Sequence, residues 1–126
     1  MALEPGLSAA LVHTVDEQDT AAVVGSGDVP VLATPRLLAL CEAATVAALS
    51  QAGLPTGQTS VGTRVALEHE RASAVGEVLT AVATLTQVDG RRLVFDVAVT
   101  DDADRVAGHA TITRVLVDRD RFLARV

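Results

Sequence analysis

The chain has no lysine, no tryptophan and no tyrosine, and among its 126 residues there are two phenylalanines and one cysteine. Without large rings, a core has to be built from Val, Ala and Leu, side chains that suit a thin layer of helix on sheet. The lone Cys41 excludes an internal disulfide and a thiolate zinc cluster within one chain, and it fits a reducing, cytoplasmic setting. No segment reaches about 18 uninterrupted apolar residues, and the opening MALEPGLSAA has an acidic residue and no basic flank, so neither a signal peptide nor a membrane span is expected. Positive charge is scarce as well. The formal net charge is -6, which argues against nucleic acid as a partner because a polyanion would be repelled. All ten basic residues are arginines, whose planar fork grips phosphate bidentately, so a phosphorylated small ligand stays open. The length fits a single domain over 1–126.

Residues 7 to 24, LSAALVHTVDEQDTAAVV, alternate loosely around the turn-like Asp16 to Asp19 and suggest two short strands. A loop of Gly25, Ser26, Gly27, Asp28 and Pro30 leads to TPRLLALCEAATVAALSQAG. This is the one long helix, with Thr34 as candidate N-cap, Pro35 at the first helical position and Gly53 as stop. Leu38, Cys41, Ala44 or Thr45, Ala48 and Leu49 recur at helical spacing, and the few charges, Arg36 and Glu42, suggest burial on most sides. From Thr59 the period changes to two, in TSVGTRVALEHERA, EVLTAVATLTQV, RRLVFDVAVTDD and DRVAGHATITRVLV. Asp89-Gly90 carries a hairpin signal, and Asp101 to Asp104 turns the next corner. DRDRFLARV ends the chain as a short helix or an extended tail. The order predicts an α+β hot-dog layout: one long central helix on a curled antiparallel sheet of five to six strands, with Arg64, Glu68 and Glu70 on the open face.

Three polar residues break the local pattern. Glu42 stands among Leu40, Cys41, Ala43 and Ala44, where partial desolvation would make it a better base than a solvated helix glutamate. His69 follows Val61, Thr63, Val65 and Leu67 on one face and is expected to point toward the helix; a satisfied core histidine is the plainer alternative. Thr34 has its own plain explanation as the cap, worth about 1 kcal/mol. His13 and His109 lie away from these residues and are expected to be solvated or structural.

Together, VLATPRLLALCEAA and SVGTRVALEHERA resemble the fluoroacetyl-CoA thioesterase family of the hot-dog superfamily. Thr34 and Glu42 keep the family's eight-residue spacing, and Gly62 and His69 keep its seven-residue spacing. The likeness runs on through Gly90 to Leu93 and Phe122 to Val126. It implies a thioesterase hydrolysing a small or medium acyl-CoA, without a cofactor since CoA is part of the substrate. Thr34, Glu42 and His69 would be catalytic and the Gly62 backbone N–H would bind substrate, near a homodimer interface. In these roles Glu42 is base or nucleophile, His69 the proton donor to the thiolate, and Thr34 a group polarising the carbonyl. The segment before Thr34, Asp28 to Leu32, lacks the phenylalanines that cover the acyl pocket in the fluoroacetyl enzyme, so an ordinary acyl group is expected. Eight helical steps separate Thr34 from Glu42 by about 12 Å, too far for a direct bond, so a two-fold dimer could join the Thr of one subunit to the Glu of the other. A non-catalytic acyl-CoA binding module and a hot-dog hydratase or dehydratase are the competing readings; the latter needs an Asp or Glu and a His cooperating near the helix, and this helix contains no histidine.

Overall fold

The computed structural model describes residues 3–126, so Met1 and Ala2 of the N-terminal stretch lie outside the described residues. Strands β1 (Ser8–Thr14), β2 (Gln58–His69), β3 (Val78–Asp89), β4 (Arg92–Asp101) and β5 (Val106–Asp118) form one antiparallel sheet in the order β1-β3-β4-β5-β2. Helix α2 (Thr34–Ala52) packs against it, the expected hot-dog layout with five strands. Alternation explains the inner face. Leu79, Ala81, Ala83 and Leu85 on β3, and Leu93, Phe95, Val97 and Val99 on β4, are buried while their neighbours are not. They join Leu37, Leu40, Cys41, Ala44, Ala48 and Leu49 of the helix in one core. Trimming a buried leucine there to alanine would cost about 2–5 kcal/mol. No helix among the described residues is long and apolar enough to cross a membrane.

The second short strand expected before residue 24 is not formed. Glu17–Asp19 is a 3-10 turn and Ala21–Val24 is a one-turn helix, α1. Capping chemistry outweighs the alternation here: Asp16 accepts from Gln18 N, Thr20 Oγ1 accepts from Val23 N, and Gly25, at φ 90°, ends the turn. The β3–β4 turn falls one residue later than the Asp89-Gly90 signal. Asp89 pairs with Arg92, so the turn residues are Gly90 and Arg91, and Gly90 alone has positive φ, at 58°. The corner at Asp101 forms as expected, with Asp101 Oδ1 accepting from Ala103 N and Arg105 N, and Asp104 at φ 59°. The C-terminal segment turns into α3 (Arg119–Leu123), capped by Asp118 accepting from Arg121 N at 2.9 Å.

Helix α2 starts one residue earlier than expected, with Ala33 as N-cap and Gly53 closing the far end. Leu37 rather than Leu38 lies fully in the core, and a stripe of Ala39, Ala43 and Val46 faces outward instead of being covered. Strand β2 is an edge of the sheet with a bulge between Gly62 and Arg64. The bulge interrupts the inward alternation read from the sequence. Val61, Leu67 and His69 are half-buried, whereas Thr63 and Val65 are exposed. Arg64, Glu68 and Glu70 are exposed, as their phase requires.

Candidate active site

The shift of the helix start changes what Thr34 does. Ala33 takes the cap position, so the Thr34 hydroxyl is not engaged with its own helix and instead meets His69 Nδ1 at 2.8 Å. Where the hydroxyl donates to Nδ1, the ring proton resides on Nε2. His69 Nε2 is buried and has no hydrogen-bond partner among the described residues. A polar atom left in that state costs about 1–3 kcal/mol unless a water, a ligand or another chain supplies the partner. Burial holds the His69 pKa below its ordinary 6.5, with a backbone contact to Arg71 opposing, so the ring is neutral near pH 7. Beside the pair opens a cleft of about 320 Å³ lined by Thr34, His69, Val29, Val31, Leu32 and Arg71. The loop before the helix adds Ser26 and Gly27 to these valines and Leu32, and no phenylalanine lines the cleft.

Two turns further along the helix lies Glu42. Its side chain is 36% exposed and its Oε2 is 3.5 Å from Nη1 of Arg114, whose side chain is 8% exposed. The setting is therefore charged on one side, not purely apolar as its helix neighbours suggested. Arg114 is held by its other nitrogens, Nε donating to Ser60 Oγ at 2.9 Å and Nη2 to the Ser60 carbonyl at 3.2 Å. Gly62 pairs with Arg114 across β2 and β5 and lies directly against Glu42. A Cβ at Gly62 would collide with Glu42 Oε2, so glycine here makes room for the carboxylate.

Thr34 thus meets His69, and Glu42 meets Gly62, but among the described residues no hydrogen bond or ion pair joins the two pairs. Seven strand steps from Gly62 to His69 span roughly 23 Å. Arg114 was not read from the sequence, although a signal existed. Ala110, Ile112 and Leu116 are buried in one phase of β5, and Arg114 occupies the same phase.

The remaining candidates are occupied elsewhere. His13 Nε2 is 2.7 Å from Asp19 Oδ2, and His109 Nδ1 is 2.7 Å from Glu70 Oε2. Burial alone would raise the Asp19 pKa, but the Asp16 backbone N–H, His13 and Arg36 together hold it below the usual carboxylate range. Cys41 is fully buried, and burial, with the charge of Glu42 adding to it, pushes its thiol up to about 11, so it is no nucleophile near neutral pH. Among the described residues there is no cluster of three or more His, Cys, Asp or Glu side chains placed to hold a metal.

Comparison with known proteins adds a second line. Residues 15–120 match the model of the fluoroacetyl-CoA-specific thioesterase family. A fluoroacetyl-CoA thioesterase of Streptantibioticus cattleyicolor is 34% identical over 96 residues, 76% of this chain and 68% of that protein. A solved structure of a fluoroacetyl-CoA thioesterase superposes with a TM-score of 0.90 at 27% identity, over 99% of this chain and 96% of that one. A point variant of the fluoroacetyl-CoA-specific enzyme, crystallised with fluoroacetate and CoA, superposes with a TM-score of 0.87 at 27% identity, covering 95% and 99% of the two chains.

Proposed function

The chain belongs to the fluoroacetyl-CoA-specific thioesterase family, and on that premise we propose that it hydrolyses a small or medium acyl-CoA thioester to the free acid and CoA. The reading takes residues 1–126 as one hot-dog domain acting as a homodimer in the cytoplasm, with no metal or other cofactor. The acyl group is an ordinary one, because the loop beside the Thr34–His69 cleft offers Val29, Val31 and Leu32 and no ring.

The observation that carries the proposal is the buried Nε2 of His69, without a partner among the described residues, on a ring whose Nδ1 meets the Thr34 hydroxyl at the far end of an edge strand from Glu42. An edge strand can pair with its own copy about a two-fold axis. With antiparallel pairing centred near Val65 and Ala66, residue 62 of one subunit falls opposite residue 69 of the other. Val65, 42% exposed, would be covered at that centre. The Glu42–Gly62 half of one chain then faces the Thr34–His69 half of its partner. Exposed Ala39 and Ala43 lie on the other side of the helix, in a cleft with Leu11, Val12 and His13 of β1, away from that edge.

In the reaction, Glu42 either takes a proton from the water that attacks the thioester carbonyl, or attacks the carbonyl itself to form an acyl-glutamyl anhydride that water hydrolyses after the thiol has left. The C–S bond breaks, and the Nε2 proton of His69 passes to the departing thiolate. Thr34 keeps the imidazole in the tautomer that carries that proton. The Gly62 backbone N–H is the candidate donor to the carbonyl oxygen, with Arg114 fixing the carboxylate next to it. The test is thiol release from a panel of acyl-CoA esters by the wild-type protein and Glu42→Gln. Turnover by the wild type and its loss in a folded variant support the proposal. Tight acyl-CoA binding without turnover by the wild type would instead favour a binding module.

A further inference from the structure

The arginines of this acidic chain are unevenly placed and unevenly used. Arg36, Arg71, Arg105 and Arg114 each contact a carboxylate. Five of the ten, Arg91, Arg92, Arg119, Arg121 and Arg125, gather at the β3–β4 turn and the C-terminal segment. None of these five has a carboxylate partner within 4.0 Å among the described residues, and all five are exposed. Five guanidinium groups against three carboxylates in the same segments, Asp89, Asp118 and Asp120, leave a local excess of positive charge on a chain of net charge -6.

Three of them also share a cavity. Arg91, Arg121 and Arg125 line a hollow of about 170 Å³ with Val117, Asp118 and Phe122. Phe122 is 39% exposed, whereas the only other phenylalanine, Phe95, is completely buried. Converging guanidinium groups match phosphate oxygens, and an exposed ring beside them offers a face on which a base can stack. A small hollow with a ring in its wall fits a nucleotide better than the broad surface of an acidic protein.

We propose that the hollow between Arg91, Arg121, Phe122 and Arg125 binds the adenine nucleotide of CoA, with arginines on the phosphates and Phe122 against the base. The proposal rests on the acyl-CoA reading above and specifies the carrier that the site recognises. Asp118 stands four strand steps, roughly 13 Å, beyond Arg114 on β5. A pantetheine arm of about a dozen covalent bonds spans roughly 15 Å when extended, so a nucleotide held here leaves its thioester within reach of the Glu42–Gly62 region.

Calorimetry with adenosine 3′,5′-bisphosphate and with free CoA tests this without any turnover. The wild type is expected to bind both, more weakly as salt rises, and Arg121→Ala/Arg125→Ala to bind both at least tenfold more weakly. Arg121→Lys/Arg125→Lys should recover part of the affinity, and Phe122→Ala should lose affinity while remaining folded by circular dichroism. Equal affinities in wild type and the double alanine variant, or no bisphosphate binding by the wild type, would overturn the assignment. So would arginine-dependent binding of an acyl carrier protein without nucleotide binding, which would make the patch a protein-docking surface. Nucleotide binding that depends on these arginines in a protein with no thioesterase activity would uphold this site and reject hydrolysis alone.

Discussion

The two ends of β2 hold different chemistry. At the His69 end the groups are neutral: an imidazole whose pKa is lowered by burial, joined to a hydroxyl. At the Gly62 end they are charged: a half-exposed carboxylate against a buried guanidinium. The contrast with the other two histidines shows what the separation achieves. His13 and His109 each sit 2.7 Å from a carboxylate and are spent in that pair. Among the described residues of one chain, His69 has no carboxylate in hydrogen-bond or ion-pair contact.

The sharpest break in this comparison is Glu42→Gln, which keeps size and hydrogen bonding and removes the charged form. Turnover is expected to fall by at least about a hundredfold, the lower range of what a positioned acid or base supplies, with acyl-CoA affinity little changed. At the opposite end His69→Gln is expected to cost less, on the order of thirtyfold, because a thiolate leaves readily even without a proton donor. Thr34→Ala should cost about tenfold, since the ring keeps its place on β2 but loses the hydroxyl that orients it. Steady-state kinetics on the three purified variants checks that order.

A pH titration of stability separates the two ends as well. The folded chain holds the His69 pKa below 6.5, so as pH falls through about 6.5 the unfolded chain takes up a proton that the folded chain resists. Stability present above that pH is therefore expected to decline below it. His69→Gln should flatten this part of the curve, which denaturant melts from pH 7.5 to 5 would reveal. The smallest effects belong to His13→Gln and His109→Gln, each expected to leave turnover within about threefold. A loss of a hundredfold in either, about 2.7 kcal/mol of barrier, would move the site away from β2.

Much of this was legible because the strongest signals are local. Leu93, Phe95, Val97 and Val99 announce a half-buried strand by period alone, and Pro35 and Gly53 bracket α2 to within a residue. Thr34, Glu42, Gly62 and His69 were singled out by spacing, while their grouping into two separate pairs came only from the fold. Three features depend on tertiary context. The strand order that leaves β2 at an edge has no local signature, and the Gly62 bulge breaks a phase that sequence alternation assumed continuous. The third is Arg114. Its inward phase on β5 was visible, but its role depends on Glu42 and Ser60, which come from distant segments. The TAAVV segment misled for the opposite reason, since its apolar residues suggested a strand while Thr20 and Gly25 enclosed a single helical turn.

The central claim is that one chain's Glu42 works with the other chain's His69, and subunit mixing tests it directly. Glu42→Gln and His69→Gln homodimers should each be weakly active. After the two are unfolded together and refolded at equal concentration, half the dimers carry one of each chain, and each hybrid has one complete site. The mixture should therefore recover about a quarter of wild-type turnover. If it stays at the average of the two parent variants although exchange is verified by a mass tag, both residues act within one chain and the two-fold site is wrong.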